Sequence, residues 1–347
     1  MSAITTTEYR TAESVSPGHP DKMCDRISDA ILDAHLAEDP TARVAVDVAG
    51  GHGTVFVTGE VTSRAKNVDI PAIVGRIAGE VQLIENIAAQ SPEIAQGVDT
   101  GGAGDQGIMI GYATRETSEM LPVEVVLARS LNQFLYEQWS YDGKTQVTVC
   151  DGEMVSIVAS FQNAPRDELA AAVKEWARTQ RYNASGACFV KYRSANPELF
   201  INPAGDWSLG GFDADAGLTG RKLAVDNYGP RIPVGGGAFS GKDPSKVDRS
   251  AAYMARKIAV DYLQQRSNIH EVFVRLAYAI GVAEPLEATV MLDGIAEKVI
   301  GYDLTPNGII HRLELRRPIY EKTAEYGHFG HGFVWEQDDV ELRALHR

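Results

Sequence analysis

Between Gly235 and Tyr253 the chain reads G-G-G-A-F-S-G-K-D-P-S-K-V-D-R-S-A-A-Y, which sets Lys242 and Lys246 among glycines where a helix should begin. Such a segment suits a polyphosphate. Asp243 is a good N-cap and Pro244 fits the first helical position, so the pattern predicts a helix directly after Lys242. The free N–H groups at its start, the positive end of the helix and the two ammonium groups would then converge on an anion. Three consecutive glycines let the main chain come close to it. Gly236-x-x-x-x-Gly241-Lys242 covers most of a Walker A loop, but Asp243 stands where Ser or Thr should hold magnesium. Ile232-Pro233-Val234 ahead of it makes a poor central strand. A P-loop kinase or ATPase is therefore disfavoured, and the phosphate loop belongs to another architecture.

Further chemistry-bearing residues sit in three glycine-marked segments. In E-S-V-S-P-G-H-P-D-K (13–22), Pro20 marks a first helical turn, so His19, Asp21 and Lys22 share a helix mouth that suits magnesium and phosphate oxygens. Asp21, Asp25, Asp29 and Asp33 follow at i, i+4 spacing, and the last three read as a solvated face. In G-A-G-D-Q-G (102–107), Asp105 precedes a buried strand. In G-G-F-D-A-D-A-G-L-T-G-R-K (210–222), Asp215 stands ahead of adjacent Arg221 and Lys222, and a turn alone does not need consecutive cations. Lys144 enters a strand after Asp142-Gly143.

The elements that must position these groups come as a repeat. Two β-type runs followed by an amphipathic helix occur three times: 43–48, 54–62 and a helix near Ile70–Ala88; 145–150, 154–160 and a helix near Arg166–Thr179; 271–280, 287–292 and a shorter helix around Asn307–Leu315. Three α+β units of roughly 100 residues follow, packed without Pro/Ser-rich linkers. Gln90–Gly107 lies outside this pattern, and a loop of that length reads as a lid.

Composition narrows the partners. With 347 residues, 44% hydrophobic and 23% charged, the chain is globular. Lys+Arg number 33 against Asp+Glu 47, a net charge of −14, which disfavours nucleic acid and anionic membrane as partners and makes the local cation clusters stand out. The N-terminus shows no leader pattern, no run is long enough to span a membrane, and Cys24, Cys150 and Cys188 lack metal spacing, so a cytoplasmic enzyme with reduced thiols is expected.

Taken together the segments resemble the S-adenosylmethionine synthetase (methionine adenosyltransferase) family. The resemblance runs from about Glu13 to Glu336 through G-H-P-D-K, Q-S-P-x-I-x-Q-G-V-D (90–99), G-A-G-D-Q-G-x-M-x-G-Y-A (102–113), F-I-N-P (200–203), G-L-T-G-R-K (217–222), the Gly235–Tyr253 block, Y-A-I-G-V-A-E-P (278–285) and Y-G-H-F-G (326–330). It implies an α+β fold of three similar strand-strand-helix domains around a pseudo-threefold axis, here 8–100, 101–209 and 210–347. It further implies homodimers, often paired into homotetramers, with active sites between subunits. Methionine sulfur would attack C5′ of ATP, and the released triphosphate would be cleaved to diphosphate and phosphate, with two magnesium ions and one potassium ion assisting.

Carried over by motif position, the resemblance gives roles to residues of this sequence. His19, Lys144, Arg221, Lys242 and Lys246 are the catalytic candidates. Asp142, Trp207, Asp215, Lys222 and Ala238 join His19, Lys144, Arg221 and Lys242 around ATP. Glu60, Gln90, Asp105, Asp215 and Lys246 surround methionine, Asp21 and Asp248 ligate magnesium, and Asp47 faces potassium. Four departures stand out: Asp47 replaces a glutamate, Trp207 replaces a phenylalanine, the lid is short after Gln96-Gly97-Val98-Asp99, and Ser140-Tyr141 replaces Arg-Pro. A family member that had lost catalysis would lack one of His19, Asp21, Lys144, Arg221, Lys242, Lys246 or Asp248, and all are present.

Overall fold

Three times the chain runs through nearly the same order of elements. The computed structural model describes residues 8–90, 101–180 and 197–337. The first pass is β1 (Tyr9–Val15), α1 (Pro20–Glu38), β2 (Arg43–Gly51), β3 (Thr54–Thr62), α2 (Ile70–Ala78) and β4 (Gln82–Ala88). The second is β5 (Gly107–Thr114), α3 (Val123–Tyr136), β6 (Gly143–Cys150), β7 (Glu153–Phe161), α4 (Arg166–Thr179) and β8 (Glu198–Ile201). The third is β9 (Gly217–Leu218), α5 (Val247–Gln265), β10 (Glu271–Tyr278), β11 (Glu287–Leu292), β12 (Ile295–Lys298) and α6 (Pro306–Arg312).

Among the described residues these strands form three four-stranded sheets, ordered β4-β3-β2-β9, β1-β6-β7-β8 and β12-β11-β10-β5. Each pass sends its opening strand to the next pass's sheet and keeps its long helix at home: β1 pairs with β6, β5 with β10, and β9 closes the ring on β2. The helices α1, α3 and α5 pack on β2, on β1 and β6, and on β5 and β10 respectively. This cyclic exchange is what a threefold arrangement of repeats requires. Tight turns drive the pairing. His52-Gly53, Asp151-Gly152 and Asp293-Gly294 all take positive φ at both residues, the geometry of two-residue hairpins.

The third pass departs from the other two. Its tight turn joins β11 to β12, which runs antiparallel and precedes α6, whereas β4 and β8 run parallel to their neighbours after a helix. Two further expectations are corrected. The helix near Ile70–Ala88 stops at Ala78, where Gly79 turns at φ 74, and Gln82–Ala88 becomes a strand. The helix expected directly after Lys242 begins at Val247, with Lys246 as its N-cap. Asp243 is engaged elsewhere: its Oδ2 accepts the N–H of Val44 on β2 at 2.7 Å, and its Oδ1 that of Ser245 at 2.9 Å. Most of the expected lid falls on residues 91–100, and Cys188 on 181–196, both outside the described residues. Cys24 and Cys150 are free and buried.

Three sheets make two cores. The sheets of the first and third passes, with α1 and α5, share a cluster from Met23 to Trp335, while β1, β6, β7, α3 and α4 enclose a second one. The acidic stripe on α1 lies in the shared region and is not a solvated face: Asp21, Asp25 and Asp29 are buried and Asp33 is half-buried. Asp21 accepts the N–H of Leu218 (3.0 Å), Asp25 that of Gly220 (2.8 Å), and Asp29 that of Gly241 (2.8 Å). Asp33 accepts those of Tyr320 (3.0 Å) and Glu321 (2.9 Å). Successive turns of one helix thus fix four segments that follow residue 217.

The last rung carries a pH signature. Burial, opposed by the two N–H donors, raises the Asp33 carboxyl from 3.8 to about 6. A raised folded value makes the folded state take up the proton first, so this contribution to stability is full below the unfolded value and is lost as pH rises through about 6. Two units correspond to roughly 3 kcal/mol as an upper figure. Asp33→Asn should therefore lose less stability than wild type between pH 4 and pH 7 in urea unfolding. Identical pH dependence in the two proteins would refute it.

Candidate active site

The expected site residues fall into two groups, each built around a loop that docks on the outer edge of β2. Thr219 donates its N–H to Val48 (3.0 Å), Val46 donates to Gly241 (3.0 Å), and Asp243 donates to Val44 (3.0 Å). The G-L-T-G-R-K turn and the glycine-rich loop therefore lie end to end along one strand. They touch where Gly220 faces Ala238: a side chain at Gly220 would place its Cβ 2.6 Å from the Ala238 methyl.

The first group surrounds the start of α1. His19 caps the helix, its Nδ1 accepting the N–H of Asp21 at 3.2 Å. Burial, then Lys222, lowers the imidazole to about 4, with Lys144 adding to the shift while Asp21 and Asp215 oppose it. The ring is therefore neutral at physiological pH, and since Nδ1 accepts, the proton resides on Nε2. Asp21 receives Lys222 Nζ at 2.5 Å and lies 3.5 Å from Arg221 Nε. Burial alone would raise Asp21, but Lys222, the Leu218 N–H and Arg221 together hold it below the ordinary carboxylate range.

Lys144 is half exposed beside this group, 3.9 Å from Glu13. Asp142 takes the N–H of Gly211 at 3.1 Å, and burial raises its carboxyl. The Ser140-Tyr141 departure is well seated: Ser16 Oγ donates to the Tyr141 carbonyl at 2.7 Å, and Gly18 leaves no room for a Cβ, which would meet that carbonyl carbon at 2.8 Å. Trp207 lies next to Gly210, where a Cβ would approach its ring to 2.8 Å, and its Nε1 is buried with no partner among the described residues. Asp215 is exposed.

The second group lies around Lys242, whose Nζ meets Asp248 at 2.7 Å, while Lys246 pairs with Asp243. The glycines of this loop serve protein contacts first: a Cβ at Gly237 would strike the Asp248 carboxyl at 2.1 Å, and one at Gly235 the Ile108 carbonyl at 2.3 Å. Gly107, two residues after the exposed Asp105, packs on the same carboxylate. Lys242 bridges Ala45 on one side of β2, and Glu60 pairs with Ala45 on the other. Paired residues share a face, so Lys242 and Glu60 flank a small alanine across two strand spacings, about 10 Å. Gln90 donates its N–H to Thr62 at 3.2 Å, and its Oε1 is buried with no partner among the described residues. Asp47 is exposed on β2 between the two docked loops, opposite Thr58. Among the described residues, no hydrogen bond or ion pair joins the first group to the second.

Lys22 does not belong to the helix mouth. Its ammonium is fully buried, 2.7 Å from Asp226 and 3.3 Å from Asp25. Sequence reasoning also missed Asp25, Asp29, Asp226 and Arg249, which hold the loops and not a ligand. The four-residue acidic spacing was the available signal, and it read as solvent-facing because nothing local announces the buried Lys22 and Arg249.

In the ligand-free protein the His19 ring should show no titration between pH 5.5 and 8 by NMR of labelled histidine, assigned with His19→Asn. A midpoint between 6 and 7 would overturn its assignment as a neutral Nε2–H donor.

Comparison with known proteins bears on the whole chain. The family models for the S-adenosylmethionine synthetase N-terminal, central and C-terminal domains match residues 7–98, 100–207 and 209–337. The chain is 41% identical to the S-adenosylmethionine synthase of Brachyspira hyodysenteriae over 388 aligned positions, covering 96% of each chain. It is 42% identical to that of Thermus thermophilus, covering 97% of each. An alignment of 388 positions for a chain of 347 residues means that the relative carries insertions this chain lacks. With every domain matched in order, the chain belongs to the S-adenosylmethionine synthetase family.

Proposed function

We infer that the chain is a methionine adenosyltransferase, joining L-methionine to the adenosyl group of ATP, with the His19 and Lys242 groups as the two halves of its site. The observation that carries this reading is the gathering of Lys222 and Lys144 around a neutral histidine at a helix N-terminus, with Arg221 3.5 Å from the neighbouring Asp21, in a protein of net charge −14. A thioether sulfur has a lone pair and no proton to lose, so its attack on C5′ needs no general base. It needs an oriented sulfur and a stabilised leaving group. The His19 Nε2–H donates to the oxygen departing from C5′, where negative charge develops. Arg221, Lys222 and Lys144 receive the phosphates, with Asp142 and Trp207 toward the nucleoside. A cation near 4 Å from each phosphate charge is worth about 4 kcal/mol gross at an effective dielectric near 20.

The Lys242 group supplies the other half. Glu60 and Gln90 Oε1, which has no partner among the described residues, suit methionine's ammonium, with Asp105 alongside and Asp215 reaching it from the His19 half, Ala238 against the nucleotide, and Lys242 and Lys246 on the triphosphate. In keeping with the family, the site is completed across a homodimer in the cytoplasm, and the homodimer can pair again into a tetramer. The units 8–100, 101–209 and 210–347 each contribute residues to it.

Family members use a divalent metal and potassium. Among the described residues no three His, Cys, Asp or Glu side chains form a metal cage. The lone carboxylates of Asp21 and Asp248, each already beside lysine, fit two magnesium ions that take their other ligands from phosphate and water. Bound there, magnesium would neutralise the leaving triphosphate. Asp47 would face potassium, one methylene short of the family's glutamate.

Pure protein with ATP, methionine and magnesium should give S-adenosylmethionine, phosphate and diphosphate in equal amounts. ADP or AMP as the nucleotide product, without a sulfonium compound, would sink the reading. Potassium should raise the rate less in wild type than in Asp47→Glu, at fixed ionic strength so that screening does not mask the difference. Superimposable potassium titrations would remove Asp47 from the cation site.

A further inference from the structure

Asp29 and Arg249 meet in a fork inside the molecule, Nη1 to Oδ1 at 2.6 Å and Nη2 to Oδ2 at 2.8 Å, both side chains 0% exposed. A buried pair is weak evidence for stability, because apolar replacements of similar volume are often neutral. What the fork holds is more telling. Asp29 Oδ1 accepts the N–H of Gly241 at 2.8 Å, and Arg249 Nη1 donates to the carbonyl of Lys242 at 3.2 Å. The other main-chain groups of this stretch are met elsewhere: the Gly241 carbonyl and Asp243 N–H by β2, and the Lys242 N–H by Phe239 at 3.2 Å. The pair therefore supplies the two anchors that flank Lys242 and that the strand edge cannot provide.

The guanidinium has no freedom to rotate. Its Nε donates to Tyr253 Oη at 3.0 Å, its Nη2 to Thr323 Oγ1 at 3.1 Å, and it lies 4.2 Å over the Tyr320 ring. Gly241 is equally constrained, at φ +80 with room for no side chain: a Cβ would meet the Val46 carbonyl at 1.9 Å. We propose that Asp29 and Arg249 are positioning residues for Lys242, gripping the main chain on both sides of it so that its ammonium meets the leaving phosphates at one fixed place. The inference rests on the assignment of Lys242 to the leaving group made above.

The test is a double-mutant cycle on the full-length protein, treating the pair as one unit: Asp29→Leu with Arg249→Met, Lys242→Ala, and all three together. The paired apolar replacement should still fold, with a lowered melting temperature because the Gly241 N–H and the Lys242 carbonyl lose their partners. It should lose roughly ten- to a hundredfold in kcat with little change in the KM for ATP, because misplacement acts on the transition state. Without Lys242 the same replacement should cost no more than about twofold further, since the two changes remove one function. A folded paired variant with wild-type kcat overturns the inference, as does a loss equally large in the Lys242→Ala background. If the apolar pair does not fold, Arg249→Lys serves: it keeps a cation for Asp29 but lacks the fork that also reaches the Lys242 carbonyl. Normal kcat there overturns the inference. Near-normal turnover of Lys242→Ala alone would instead remove Lys242 from the leaving group, and any effect of the pair would then arise elsewhere.

Discussion

A carboxylate accepting a main-chain N–H is the contact on which this architecture turns, repeated along α1 from Asp21 to Asp33. Where the acceptor is ionised such a bond is stronger than a neutral one, and for Asp21, Asp25 and Asp29 burial keeps water from competing for it. The four carboxylates lie on one helix face because residues four apart stack along the axis. Their partners come from segments that are adjacent only after folding: β9, the turn that follows it, the glycine-rich loop, and the stretch at Tyr320. Glycine is required at two rungs by close approach. A Cβ at Gly217 would meet the Pro20 carbonyl at 2.2 Å, and one at Gly241 the Val46 carbonyl at 1.9 Å. The first helix of the chain thereby sets the positions of loops more than 190 residues away.

The same helix arranges the charges that the inferred reaction uses. The candidate phosphate-binding lysines Lys222, Lys242 and Lys246 already have carboxylates at hand, in Asp21, Asp248 and Asp243. Half-buried ammonium groups with no partner would be costly to hold near one another. With their carboxylates they are held ready, and under the proposed function Lys222 and Lys242 would turn to phosphate oxygens where Asp21 and Asp248 held magnesium. Such an exchange conserves the number of ion pairs, so its net cost is far smaller than the gross energy of any one pair. Lys22 and Arg249 differ in kind. Fully enclosed and tied to main-chain-holding aspartates, they carry structure and stay where they are.

Local chemistry and motif order were legible in the sequence, while long-range exchange was not. The hairpins at 43–62 and 145–160, the helix Arg166–Thr179, and the pairing of cations with glycine turns could be read because each is set by neighbouring residues. The destination of β1, β5 and β9 could not, since a strand carries no mark of which sheet it will join. The acidic stripe was misread for a related reason. Its spacing is equally that of a solvated face, and only the distant Lys22–Asp226 and Asp29–Arg249 contacts tell the two apart. The start of α5 was displaced because Asp243 caps whichever N–H groups it meets. Here β2 competes for its carboxylate, and the helix waits until Val247.

The break in the repeat shows what symmetry alone would not supply. In the first two passes a two-residue turn joins the central pair of strands, whereas in the third β10 and β11 are joined by the longer stretch Ala279–Leu286. That stretch exposes Ile280 at 61% and Leu286 at 71%, and it binds residues 102 and 103, within the segment Gln90–Gly107 that the sequence suggested as a lid. Ala103 donates its N–H to Val282 at 3.0 Å, Gly281 donates to Ala103 at 2.8 Å, and a Cβ at Gly102 would strike the Gly281 carbonyl at 2.4 Å. Moving the tight turn to β11–β12 frees the end of β10 to hold residues 102 and 103, and with them the approach to Asp105 and β5. A threefold repeat would present three equivalent strand ends. Lengthening one connection gives a single end an apolar loop and an anchored glycine segment, so the asymmetry of the third pass fixes the approach to Asp105.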